Sequence, residues 1–141
     1  MLGSFPTILV AVILYSVVAL VGGASHHDMT AWLSSGFEIK MFSGDLWRIT
    51  LGDLFILAAL GMLFIEVVKA TRNTSREIIN HALSMLTFVV ALIEFITLHG
   101  FATSVFFIIM MMTAFDVVAG YTISIVAAKH DLSIGPQSGG H

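Results

Sequence analysis

The 141-residue chain contains no cysteine, which excludes disulfides, iron–sulfur clusters, thiolate zinc sites and a cysteine nucleophile, and leaves the redox compartment unreadable. Charge is almost as scarce: Asp, Glu, Lys and Arg make up 11% of the residues, and the 6 Lys and Arg form no basic patch. The electrostatic footprint of a nucleic-acid binder is therefore missing, and no nucleic-acid partner is expected. Phosphate cradles, P-loops and nucleophile–base–orienter sets are also lacking, so no catalytic residues are assigned and no enzymatic activity is expected. What the chain does have is apolar surface. It is 57% hydrophobic with a mean hydropathy of +0.98, more than a water-soluble fold of this size can hide.

Four apolar runs are long enough to read as membrane helices, at about 5–23, 51–70, 78–98 and 102–127. The first has Pro6 in its opening turn, as helices tolerate. Gly22-Gly23-Ala24 would suit cleavage of a signal peptide, but no Lys or Arg precedes the apolar run, so a retained anchor is expected. The expectation is an all-α, four-span transmembrane bundle forming one membrane domain over 1–128, with a flexible Gly- and Ser-rich tail over 129–141.

Ser25 to Thr50 is the one long polar connection. From Gly36 to Thr50 it alternates: Phe37, Ile39 and Met41 lie on one side, and Leu46, Arg48 and Thr50 follow a Ser43-Gly44 turn. A short β-hairpin fits this pattern, with an irregular loop as the alternative. Trp32 and Trp47 are expected as anchors at the headgroup level. Lys69, Arg72, Arg76 and Lys129 fall on one side of the bundle, Lys40 and Arg48 on the other. The positive-inside rule then places both termini and the 71–78 turn in the cytoplasm. In that turn, Thr74-Ser75-Arg76-Glu77 has the form of a capping box that restarts a helix.

Three carboxylates, Glu66, Glu94 and Asp116, lie within the spans. Around Asp116, residues Thr113, Gly120 and Ser124 recur at helical spacing and make one small, polar face that must meet protein and not lipid. Counting 1.5 Å per residue puts Asp116, Glu66 and Ser84 at one depth, about two-thirds of the way to the cytoplasmic face. Two carboxylates meeting there require a proton on one of them, or a metal or sodium ion between them. The alternative is structural: Glu66 pairs with Lys69, and Asp116 hydrogen-bonds Thr113 or Ser84 as glue between helices. Glu94, about 7 Å below the outer surface, is level with Tyr15 and Ser16 and could share an outer vestibule with Asp53 and His99, or simply bond to Tyr15. Close helix packing is expected at Gly120, Ser124, Ala59, Ala91 and Ala19.

His26, His27 and His99, with Asp28 nearby, are weak candidates for zinc or copper; their spacing fits no metal motif, and no metal or other cofactor is expected. A bis-histidine haem would need a second chain, because His81 and His99 sit at opposite ends of one helix. Met110, Met111 and Met112 point three ways around theirs and read as packing.

The run Leu51-Gly52-Asp53-Leu54 through Glu66-Val67-Val68-Lys69-Ala70-Thr71-Arg72 resembles small bacterial inner-membrane proteins, a likeness that carries no functional residue across. Taken together, these readings lead to a non-enzymatic accessory or self-assembling subunit of a membrane complex, whose partners are the lipid bilayer and other subunits or copies of itself. The alternative is an oligomeric channel or a proton- or cation-coupled carrier that uses the intramembrane carboxylates.

Overall fold

The computed structural model describes residues 5–22, 28–72 and 77–135. In chain order the elements are α1 (Thr7–Gly22), α2 (Met29–Leu33), β1 (Gly36–Lys40), β2 (Leu46–Thr50), α3 (Leu51–Arg72), α4 (Glu77–Thr97) and α5 (Ser104–Ile134). The chain is mostly helical, and its two strands form one small antiparallel sheet.

Among the described residues three helices, α3, α4 and α5, are long and apolar enough to cross a membrane. This corrects the expectation of four. Helix α1 is apolar along its whole length but has only 16 residues, about 24 Å at 1.5 Å per residue, against a hydrocarbon core of about 30 Å. Helix α5 departs in the other direction, running 31 residues to Ile134 and not stopping near 127. Nothing between Ala127 and Ile134 breaks a helix, and Gly135 is the first residue to leave helical geometry. The tail expected from 129 is thus helical through 134, and residues 136–141 lie outside the described range, as does the capping box at 74–76.

Helix α5 packs mainly against α3 and α4, and α1 lies against α3 and α5. Ala59 and Ala91, expected as packing positions, are fully buried, and Ala19 is nearly so. On α4 the buried stripe is Ser84, Thr87 and Ala91, the three- and four-residue spacing of one helix face. At the end of the bundle that carries the α4–α5 turn, Tyr15, Phe101 and Phe106 form an aromatic cluster with ring centroids 4.7–5.6 Å apart, in the tilted and edge-on arrangements such rings prefer.

The polar connection is ordered by short-range chemistry. Asp28 is the N-cap of α2, a helix the sequence reading missed; its Oδ1 accepts the backbone N–H groups of Thr30 at 2.9 Å and Ala31 at 3.2 Å. The hairpin forms with Gly44 at φ +95°, a conformation glycine adopts without steric cost. Its register pairs Phe37 with Ile49, Ile39 with Trp47 and Glu38 with Arg48. Alternation along each strand therefore puts Phe37, Ile39, Trp47 and Ile49 on one face and Glu38 and Arg48 on the other. Strand β2 runs straight into α3, where Thr50 and Asp53 make a reciprocal cap: Asp53 Oδ2 accepts from Thr50 N at 2.9 Å, and Thr50 Oγ1 accepts from Asp53 N at 3.1 Å.

Candidate functional site

The polar residues of the spans gather in two places. Near the α4–α5 turn both Glu94 carboxylate oxygens lie within hydrogen-bond distance of Ser16 Oγ, at 3.1 and 3.2 Å, linking α4 to α1, and the same hydroxyl reaches Val12 O at 2.8 Å. Tyr15 was the expected partner, but its hydroxyl turns to Gly100 O at 3.1 Å and Thr103 Oγ1 at 2.6 Å and pins the α4–α5 turn. Asp53 is occupied by its own cap, so the vestibule of Glu94, Asp53 and His99 is not assembled as proposed. Instead His99 shares a small cleft with Asp28 and Thr103.

His26 and His27 lie outside the described residues. Among those described, no group of three or more His, Asp or Glu side chains is placed to hold a metal ion.

The second cluster, toward the opposite end of the bundle, brings together Glu66, Asp116 and Ser84, and their roles are not alike. Glu66, 7% exposed, pairs with Lys69 Nζ at 3.0 Å, the three-residue pairing expected of a helix face. Its Oε2 also accepts Thr7 N at 2.6 Å and the Thr7 hydroxyl. Lys69 completes the arrangement by donating to Phe5 O at 2.8 Å and Thr7 Oγ1 at 3.1 Å. The first free N–H of α1 and the carbonyl just before the helix are thus both satisfied by side chains of α3. A carboxylate at a helix N-terminus is favourable for the same reason.

Asp116 has no such tether. It is 6% exposed, and its Oδ2 is buried without a hydrogen-bond partner. Ser84 of α4 is the hydrogen-bonding side chain beside it, with Glu66, Lys69 and His81 the charged or titratable groups within electrostatic reach. Thr113 does not serve it. That hydroxyl donates to Met110 O at 2.6 Å within its own helix, as threonines in helices commonly do.

His81 is the residue the sequence reading weighed only as a haem ligand. Its Nε2 lies 2.7 Å from Ser124 Oγ, its ring packs 5.1 Å from that of Tyr121, and its Cε1–Nδ1 edge meets Gly120. A Cβ at Gly120 would come within 2.5 Å of the imidazole Cε1. The small face of Gly120 and Ser124 therefore receives a histidine. The same ring lines an open groove of about 550 Å³ between the N-terminal part of α4 and the C-terminal half of α5, with Ile78, Met85, Tyr121 and Ile125.

The chain matches no protein-family model, no curated protein and no solved structure, so its chemistry is argued from these residues alone.

Proposed function

We propose that the protein is a non-enzymatic accessory or self-assembling subunit of a membrane complex. The observation that supports this most directly is the bare apolar face of the hairpin. Phe37, Ile39 and Trp47 are exposed there, and Ile49 is only partly covered. An isolated two-stranded hairpin is marginal in water, and one with an uncovered aromatic and aliphatic face is a contact surface in waiting. A neighbouring subunit covering that face completes it. Glu66 and Glu94 argue the same way, because hydrogen bonds between helices already occupy both.

In this reading α1 is the fourth span, with both termini in the cytoplasm of a bacterial inner-membrane protein. A 16-residue helix can serve because Glu66 and Lys69 satisfy its N-terminal backbone groups below the membrane boundary, where water is not available to do so.

The test is the mass of the assembly in native-membrane nanodiscs. The parent is expected above the mass of one chain, and Ile39→Asp, which charges the hairpin face without touching the spans, is expected to fall to one chain. Equal masses for the two would remove the hairpin from the assembly.

A second reading, a channel or a proton- or cation-coupled carrier, is favoured by one residue. Asp116 is an intramembrane carboxylate with an unpartnered oxygen, and such groups commonly mark ion and proton pathways. Proton or cation flux in proteoliposomes, present in the parent and lost in Asp116→Asn, is the expected result of that reading. An inert parent under every gradient would remove it.

A further inference from the structure

We propose that Asp116 is a proton-binding site, loaded and unloaded from the groove between the inner ends of α4 and α5 that His81 lines. The inference deepens the carrier reading by naming its ligand, yet it concerns binding alone and holds whether or not the proton crosses the membrane.

Around the Asp116 carboxyl group, helix α4 presents Ser84 and His81, and α3 presents Glu66 and Lys69; α1 carries no charged side chain between Thr7 and Gly22. The one ammonium in reach is committed, since Lys69 bonds Glu66, Phe5 O and Thr7. An ionised Asp116 would hold a negative charge and a bare oxygen in an apolar layer beside an ion pair, Glu66–Lys69, that is already balanced, an arrangement that protein interiors avoid by neutralising the group. One proton on Oδ2 removes that charge and converts the bare acceptor to a donor. A divalent metal is a poorer fit, because no cluster of three ligating His, Asp or Glu side chains exists among the described residues.

Geometry also supplies the direction of access. His81 rests on Gly120, one helical turn from Asp116, and forms part of the groove wall. One turn before Ser84 on α4, the buried Asn80 Oδ1 is likewise an acceptor without a donor. A proton relayed from groove water through the imidazole to Asp116 returns the ring to its starting form and leaves the carboxyl uncharged, so the step balances with no other reactant.

The proposal is tested by infrared spectroscopy of the full chain in lipid vesicles, titrated from neutral to alkaline pH in light and heavy water. The expected result is a protonated-carboxyl band at neutral pH that is lost in Asp116→Asn and retained in Glu66→Gln and Glu94→Gln. His81→Phe, which keeps a flat ring on Gly120, should preserve the band but slow its deuterium exchange several-fold. Absence of the band in the parent, or its persistence in Asp116→Asn, overturns the site; unchanged exchange in His81→Phe overturns the route. Should Asp116→Asn fail to fold, Ser84→Ala decides: removing the neighbouring hydroxyl should shift the band, and an unshifted band places the proton elsewhere. Because the readout is binding, a protein that binds the proton but shows no flux refutes the carrier reading and leaves this one intact.

Discussion

Glu66 shows how a charged residue is retired from chemistry by its surroundings. Its oxygen serves Lys69, the Thr7 hydroxyl and the Thr7 N–H together. Glu66→Ala strips all three, leaving the partly exposed Lys69 ammonium without its carboxylate and the Thr7 N–H without its acceptor, a loss on the order of 1–3 kcal/mol. Glu66→Gln keeps an acceptor and should lose less. Thermal unfolding of both variants in one detergent checks the order, and a harmless Glu66→Ala would mean that α1 is anchored elsewhere. Tyr15 offers a neutral counterpart. It is fully buried, and Tyr15→Phe keeps the aromatic cluster while removing the hydroxyl from Gly100 O and Thr103. About 0.5–1.5 kcal/mol should be lost, with faster backbone amide exchange confined to residues around the α4–α5 turn. Exchange that rises uniformly along the chain would contradict a local role.

Part of this was legible from residue spacing. The Glu66–Lys69 pair follows from three-residue spacing on one helix, and the common depth of Glu66, Ser84 and Asp116 follows from a fixed rise per residue. The partners of Thr7, Tyr15 and Ser16 were not legible, because they depend on how α1 docks across the other helices. Spacing left Thr113 and Ser84 as alternative partners of Asp116 and could not choose between them, because a helical threonine can always turn back on its own backbone, as Thr113 does.

At the scale of elements, lengths were less readable than patterns. The hairpin register follows from strict alternation about a Ser43-Gly44 turn, whereas the short α2 depends on a single capping aspartate, and α5 continues because nothing stops it before Gly135. The α4–α5 contact gives the sharpest prediction. Gly120→Leu drives a side chain into the His81 ring, and such overpacking costs typically 1–3 kcal/mol. Val118→Leu, on an exposed part of the same helix, should cost almost nothing. The melting temperatures of the two variants measure the difference, and the ring contact should also show as a changed His81 environment in Gly120→Leu alone. If both variants melt with the parent, the helices do not approach as closely as the His81–Gly120 contact requires.

At the scale of the molecule, the account combines a bundle whose polar interior is largely spoken for with an amphipathic hairpin that is not. A chain without cysteine lets both ends be probed by single introduced thiols without background. For orientation, Ser35→Cys should react with a membrane-impermeant reagent on intact cells and Thr71→Cys only after lysis, as the distribution of Lys and Arg implies. The opposite pattern would invert the bundle and put the His81 groove outside. The central claim, that the hairpin meets a neighbouring subunit through its apolar face, is tested most directly by crosslinking in native membranes. Ile39→Cys and Glu38→Cys place a thiol on opposite faces of the same strand. The account predicts that a thiol-anchored photocrosslinker captures a protein neighbour from Ile39→Cys and not from Glu38→Cys. Capture of lipid alone from Ile39→Cys, or equal capture from both positions, would contradict it.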